Sequence, residues 1–295
     1  MIPTAIREIY GPREFPREPE PQVMDGEMQV AAFEAAGRVA GVAAAHIFHT
    51  ARISQVIQGC REVLDLGCGP AVQMLKVAAL NPDISFRGVD LSSAMLGRAR
   101  DNAAALGLAN TDFTVSDITT LEGFADRSVD GVITTMALHH LPTLDHLRRC
   151  FRQIKRVLRP EGAIYLIDFG RLKSLKSALY FAYMDREALT KAESEELAHA
   201  FCLDYERSLR AAFLPEEFQR LAQEELPSHA QLHSTYRIPF LTVIKSADKP
   251  LPDSLRKELH EMRAGLERRY RRDLDDIRNF FRWGGLENDP FALRA

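Results

Sequence analysis

Glu62-Val63-Leu64-Asp65-Leu66-Gly67-Cys68-Gly69-Pro70 is the stretch on which the reading of this chain turns. A short apolar run carries an acid, Asp65, just before the chain turns abruptly through two glycines into a helix. Glycine has no Cβ, so a backbone with Gly67 and Gly69 can approach a ligand closely and take dihedrals closed to other residues. The helix beyond presents unpaired N–H groups at its start. Taken alone, this is a generic nucleotide-type loop.

The strands downstream narrow it. A second strand, Ser85–Asp90, ends in an acid and leads into Leu91-Ser92-Ser93-Ala94-Met95-Leu96. A carboxylate at that place can accept from both hydroxyls of a ribose. A third strand, Thr111–Ile118, carries Asp117 near its end, and a fourth, Ser128–Thr135, runs into Met136-Ala137-Leu138-His139-His140-Leu141. A helical segment over 147–158 and the turn Arg159-Pro160-Glu161-Gly162 precede a fifth strand, Gly162–Asp168. Over about residues 55–170 this series resembles the class I S-adenosylmethionine-dependent methyltransferases. Each piece is common by itself; their order and spacing carry the resemblance.

The resemblance implies an α/β fold: a Rossmann-like methyltransferase sheet, mostly parallel with an antiparallel last strand, with a helical cap and a C-terminal helix. It implies S-adenosyl-L-methionine as cofactor and assigns the contacts. Gly67, Cys68 and Gly69 lie against the methionine part, and Asp65 orients its amino group directly or through water. Asp90 takes the ribose hydroxyls, Leu91 and Met95 flank the adenine, Asp117 accepts from the adenine amino group, and Ile118 covers the other ring face. The plainer reading of Asp65 and Asp90 is a cap or turn residue at a strand end, and Leu91 and Met95 can also be core.

The same glycines allow a dinucleotide-binding dehydrogenase. That fingerprint, G-x-G-x-x-G, requires glycine where this chain has Val72. The methyltransferase pattern often carries a third glycine at the place of Ala71, a smaller departure. A third reading is a cofactor-binding regulatory or scaffold protein without catalysis.

Composition agrees with one enzyme-sized unit: a chain of 295 residues buries roughly three-quarters of its unfolded surface. A net charge of −3 gives no pull toward nucleic acid or anionic membrane. No apolar run is long enough to span a bilayer, and Met1–Pro21, rich in charge and proline, is unlike a secretory leader. Cys60, Cys68, Cys150 and Cys202 show neither C-x-x-C spacing nor a disulfide framework, which suggests a cytoplasmic setting. No metal site is expected.

Residues 1–59 read as an N-terminal arm, extended over 1–21 by its prolines, followed by one or two lid helices with Val30, Phe33, Val39, Val42, Ile47, Ile53 and Ile57 at helical spacing. Residues 60–250 form the methyltransferase domain. It includes a helical cap at about 172–226, broken near Leu214-Pro215, and two final strands, His229–Arg237 and Pro239–Ser246. Residues 251–295 form a C-terminal extension. Its long helix, Asp253–Trp283, has an apolar stripe through Leu255, Leu259, Met262, Leu266, Tyr270, Leu274, Ile277 and Phe281. That stripe either packs back on the domain or docks a partner or a second copy.

A sulfonium methyl is already activated, so transfer depends mainly on holding the acceptor close and oriented. Where the acceptor must lose a proton, His139 and His140 are the candidate catalytic residues, placed at the ligand-binding edge of the sheet. The pair can equally be a structural element. Asp168 and Arg171 either contact substrate or pin the cap. Aromatic residues of the lid (Tyr10, Phe15, Phe33, Phe48) offer cation–π faces to a sulfonium, worth about 0.5–2 kcal/mol. Arg52 either pairs with the cofactor carboxylate or is solvated.

The fourth strand lacks the Asn/Asp-Pro-Pro-Tyr/Phe run of amide and exocyclic-amine methyltransferases. The cysteines lack an arsenite-binding grouping, and no Lys/Arg cluster interleaved with aromatics marks an RNA surface. Methyl transfer to an O, N or S atom of a small molecule or short peptide is therefore the expected function, without nucleic-acid or membrane partners.

Overall fold

The computed structural model describes residues 2–22, 26–36 and 40–292. Its strands are β1 (Glu62–Leu66), β2 (Ser85–Asp90), β3 (Thr111–Val115), β4 (Val129–Thr135), β5 (Leu158–Phe169), β6 (Gln231–Ser234) and β7 (Leu241–Lys245). They form a seven-stranded sheet in the order β3-β2-β1-β4-β5-β7-β6. β1 to β5 run parallel, and β7 is antiparallel to both neighbours. The expected architecture is therefore observed. Successive strands extend one way from β1 and then the other, so the carboxyl ends of β1 and β4 flank the switch point where open α/β sheets bind ligands.

The sheet is covered on both faces, and alternation along each strand assigns the layers. One face sends Val63, Phe86, Ile133, Tyr165, Ile167 and Val243 into a core shared with α3 (Ala40–Val56), α4 (Val72–Leu80) and α5 (Ser93–Ala105). The opposite face sends Leu64, Leu66, Val132, Ile164, Leu166 and Ile244 toward α6 (Leu144–Val157) and α10 (Pro215–Glu225). On α6 the residues Leu147, Cys150, Phe151, Ile154 and Val157 recur at helical spacing and are all buried. Thr143 caps its start by accepting from the His146 N–H at 3.4 Å.

Several boundaries differ from expectation. The N-terminal arm is not extended throughout: α1 (Ile2–Tyr10) is helical. The prolines lie beyond it except Pro3, which falls in the first turn, where proline is tolerated. The Arg159–Gly162 turn survives as an irregularity inside β5, where pairing jumps from Val129↔Leu158 to Gly131↔Ala163. β6 and β7 are shorter than the strands read from sequence. The C-terminal helix is two helices, α11 (Asp253–Gly265) and α12 (Arg268–Trp283). Leu266 and Glu267, at ψ 145 and 153, are extended and break it just past Gly265. As expected, α12 ends at Trp283, before Gly284.

The apolar stripe of these two helices is used within the chain. Leu255, Leu259, Leu274 and Phe281 are buried in the main core, with Met262, Leu266 and Ile277 packed against it. Phe281 stacks on Phe48 of α3 at 5.2 Å. The cap consists of α7 (Leu175–Tyr183), α8 (Arg186–Ala192), α9 (Glu195–Ala211) and α10, and α2 (Glu27–Ala36) packs on α9. Val39 lies outside the described residues. No helix among them is long and apolar enough to cross a membrane.

The arm, α1 included, is fastened at many points. Glu8 of α1 accepts from the Lys173 and Ser174 N–H groups at 2.8 and 3.1 Å, just ahead of α7. Arg17 donates to the carbonyls of Ala211 (2.6 Å), His139 (2.9 Å) and Leu141 (2.6 Å), and its guanidinium lies 3.8 Å over the Phe213 ring. Glu18 pairs with Arg210 at 2.6 Å. One planar fork thus ties the arm both to the loop after β4 and to the end of α9. Arg17→Ala leaves several carbonyls without a donor and is expected to cost roughly 2–3 kcal/mol. Hydrogen exchange over residues 12–22 should accelerate while β1–β5 stay protected; uniform acceleration would refute this local role.

Candidate active site at the carboxyl edge of the sheet

A cavity of about 450 Å³ runs along the carboxyl ends of β1, β2 and β4. Its first half is the glycine loop. Gly67 and Gly69 have φ of +65° and +53°. A Cβ on Gly67 would stand 2.5 Å from that of Ala137, whereas one on Gly69 would meet no protein atom within 4 Å. Ala71 also holds a positive φ of 58°, so this alanine occupies a conformation that favours glycine. The Cys68 N–H donates to the Val89 carbonyl at 3.0 Å, pinning the loop to β2.

Asp90 binds that loop from the neighbouring strand. Its two oxygens accept from the Gly69 and Ser92 N–H groups, each at 2.9 Å. The turn role is therefore present together with a place on the cavity wall. Asp117 accepts from the Thr119 N–H at 2.7 Å and also lines the cavity, as do Gly67, Cys68, Gly69, Leu91, Met95 and Ile118. Asp65 does not line it. It is buried behind the loop, its Oδ1 has no hydrogen-bond donor among the described residues, and burial followed by the charge of Asp90 pushes its carboxyl well up. A buried carboxylate oxygen without a donor suits a cationic partner such as the amino group of the expected cofactor.

The second half is built around the loop after β4, where Leu138–His140 forms one turn of 3₁₀ helix. At the end of β5, Asp168 accepts from the His139 N–H at 3.0 Å and contacts its Nδ1 at 2.6 Å. The ring therefore directs Nε2 away from the sheet. There it meets Glu20 of the arm, whose Oε1 lies 3.3 Å from Nε2. His140 Nδ1 donates to the Pro21 carbonyl at 3.1 Å. Both imidazoles line the cavity. Burial opposes a charge on His139, but Asp168 and Glu20 outweigh it and raise its pKa. Burial and the neighbouring His139 lower His140 to about 4.

The residues expected to bind the cofactor share this cavity except for Asp65, which stands one layer back. The lid assignments need larger correction. Tyr10 is 79% exposed, Phe15 and Phe48 are core residues, and none of the three lines the cavity. The cavity-facing residues of α3 are Val42, Ala45, His46 and His49. Nothing is described of the Phe33 side chain. Arg52 is neither solvated nor at the cavity: fully buried, it donates to the Glu287 and Asn288 carbonyls at 2.8 and 3.1 Å and fastens the chain beyond α12. Arg171 is a buried cap residue off the cavity. Glu20 carried no signal in Pro19-Glu20-Pro21, because its partners are more than a hundred residues away.

Residues 59–233 match the methyltransferase-domain family. The chain is a class I S-adenosylmethionine-dependent methyltransferase. Among curated relatives it is similar to the 27-O-demethylrifamycin SV methyltransferase of Amycolatopsis mediterranei, 30% identical over 56% of this chain and 58% of that one. It is also similar to the arsenite methyltransferase of Halobacterium salinarum, 35% identical over 36% of this chain and 26% of that one. The likeness thus spans about half or less of these relatives. Among solved structures it is similar to a SAM-dependent methyltransferase from Aquifex aeolicus (TM-score 0.50, 14% identity, 75% of this chain and 98% of that one). The [4+2]-cyclase SpnF is similar to the same degree (TM-score 0.51, 19% identity, 80% and 98%). At these identities the structural likeness concerns the fold alone. The nicotinamide reading is set aside by the family.

Two measurements probe this methyltransferase's site directly. Gly69→Ala should cost only a backbone penalty of about 1–2 kcal/mol yet sharply weaken binding of S-adenosylhomocysteine, because its methyl enters the cavity. Gly67→Ala should lower the thermal midpoint more than Gly69→Ala does. Equal destabilisation with unchanged affinity would contradict the loop's role.

His49, buried and 2.9 Å from the Tyr165 hydroxyl, is lowered by burial, and then by Arg52, from 6.5 to about 3. Its folded pKa is depressed, so its contribution to stability is complete above pH 6.5 and lost as pH falls toward 3. The melting-temperature gap between wild type and His49→Gln should therefore narrow from pH 7 to pH 4. A gap independent of pH would show that His49 does not titrate in this way.

Proposed function

We propose that this methyltransferase transfers a methyl group to an O, N or S atom of a small, largely apolar molecule or short peptide held at the His139–His140 end of the cavity. The observation that carries this reading is the continuity of the cavity. The walls that begin at Gly67, Asp90 and Asp117 run on past His139 to Phe181, Phe201, Tyr205 and Phe240. Phe181 and Phe240 stack at 4.1 Å, giving the far end an aromatic roof. Flat apolar acceptors suit such a surface.

The wall charges favour this class over nucleic acid. Asp117, Asp185, Asp204, Asp273 and Asp276 face the cavity, against Arg269 as its one arginine among the described residues. A polyanion would meet net repulsion there. Relatives named for ribosomal RNA and for transfer RNA methylation exist, but this wall lacks the basic clustering that RNA binding requires. An arsenite-type thiol site is also disfavoured. Cys68 is the one cysteine on the described cavity wall, and burial raises its thiol together with those of Cys60 and Cys202.

When bound, S-adenosylmethionine supplies an electrophilic methyl on a sulfonium sulfur. Gly67, Cys68 and Gly69 accommodate the methionine part, with Asp65 behind them for its amino group. Asp90 is placed for the ribose; Leu91, Met95, Asp117 and Ile118 enclose the adenine. The aromatic roof and α12 exclude water and orient the acceptor, which is most of what this chemistry asks of a protein. His139 and His140, oriented by Asp168 and by the Pro21 carbonyl, handle the acceptor's proton where one must leave. The described cysteines are all free thiols, which supports a reducing, cytoplasmic setting.

Titration with S-adenosylmethionine and S-adenosylhomocysteine should give micromolar binding, with NADH inert, and Asp90→Ala should weaken it at least about tenfold. Unchanged affinity in that variant would remove Asp90 from the site. With methyl-labelled cofactor, label should enter hydroxylated or aminated aromatic compounds or short peptides. Label entering only ribosomal or transfer RNA would overturn the acceptor class.

A further inference from the structure

We propose that Glu20, His139 and His140 bind one divalent cation of the zinc type at the acceptor end of the cavity. The inference rests on the reading of that end as the acceptor site. One ligand atom from each of the three residues lies within 4.8 Å of the others.

Hydrogen positions decide which ring nitrogens are free to ligate. Asp168 accepts from the His139 N–H and from the Phe169 N–H at 2.6 Å, so it is a carboxylate, and His139 Nδ1, 2.6 Å from it, carries a hydrogen. His140 Nδ1 likewise donates to the Pro21 carbonyl. His139 thus turns Nε2 toward Glu20, while the nitrogen of His140 nearest Glu20 is Nδ1, 3.6 Å from its Oε1, which would exchange its bond to Pro21 for the cation. An imidazole whose far nitrogen is held by a carboxylate or carbonyl is the usual second layer of a metal site.

Glu20 supplies the carboxylate. Its side chain is 4% exposed, and no protein donor reaches its Oε1 in hydrogen-bonding geometry among the described residues. That oxygen faces His139 Nε2 at 3.3 Å. With a proton on Nε2 the two atoms form an ion pair, and a cation would take that proton's place between them. Two ligands of a tetrahedral cation at about 2.0–2.1 Å stand about 3.3 Å apart. Two imidazoles and one carboxylate suit zinc and its first-row neighbours, not magnesium.

Both histidines line the cavity, so the remaining coordination position faces the acceptor. A hydroxyl or thiol taken there would shed its proton to water and stay as the bound anion, the histidines then serving as ligands in place of bases. The arm would then complete the site: Arg17, bonded to the His139 carbonyl, holds Glu20 within reach.

The test uses the whole chain stripped with a chelator and titrated with Co²⁺ and Zn²⁺. One equivalent of Co²⁺ should bind with visible absorption of low-coordinate type and be displaced by Zn²⁺, with millimolar Mg²⁺ inert. Glu20→Gln and His140→Ala should each weaken Co²⁺ binding at least about tenfold, and Asp168→Asn about 10–100-fold. S-adenosylhomocysteine affinity, measured on the same samples, should stay within about twofold. Wild type that binds this product normally but takes up neither metal, or metal binding indifferent to both Glu20→Gln and His140→Ala, would overturn the cation site. Loss of product binding in wild type would instead sink the cofactor assignment.

Discussion

The carboxylate of Asp168 is the constraint on which the acceptor half depends. It stands at the carboxyl end of β5, buried, with contacts to the His139 and Phe169 N–H groups and to His139 Nδ1. A charge so placed is tolerated only because donors surround it. Those bonds fix the short 3₁₀ turn after β4, and that turn presents the two imidazoles to the cavity. The turn's own carbonyls are then taken by Arg17, so the arm closes the same network from outside. Sheet edge, histidine loop and arm are in this way joined by one chain of hydrogen bonds.

The cofactor half works by a different logic. Asp90 is at once a turn residue and a wall residue: its bonds to Gly69 and Ser92 hold the glycine loop against β2. A glycine at 88 is required for the same closure, since a Cβ there would meet Cys68 Sγ at 2.7 Å and the Phe113 ring at 2.9 Å. The loop can be this tight because the ligand's backbone contacts need no side chains, and the helix after it supplies N–H groups.

That contrast explains how much of the molecule is legible in its residues. The strands and the glycine loop are local: Glu62–Pro70, Ser85–Met95 and Thr111–Ile118 each carry their element and their stretch of cavity wall within a dozen residues. Hydrophobic periodicity and glycine placement are sufficient there. The acceptor half is assembled from segments far apart, with Glu20, His139, Tyr180, Phe240 and Phe280 meeting only in the folded chain. Proline content made the arm look extended, yet α1 precedes most of those prolines. Arg52, near the first strand, looked like a solvated or ligand-binding charge and proved to be a buried staple, because its partners beyond α12 have no sequence signature. In the last helix the apolar stripe was legible, but not the break past Gly265 nor the domain face that buries it.

The balance of charge links the two halves. Burial, then Asp90, raises Asp65 behind the cofactor loop; burial, then Asp185, raises Asp273 on the far wall. Each shift means that the carboxylate form is disfavoured where it stands, behind the glycine loop and on the far wall. Ligands that bring positive charge relieve that penalty, and binding to the folded state alone converts that relief into stability. An ammonium group near the loop is suited to this, and so is a cation or an uncharged aromatic acceptor at the far end. A polyphosphate backbone would add to the penalty. The fold by itself admits chemistry as different as methyl transfer and the cyclisation carried out on a similar scaffold. What differs between such proteins is therefore sought in the cavity walls and not in the sheet.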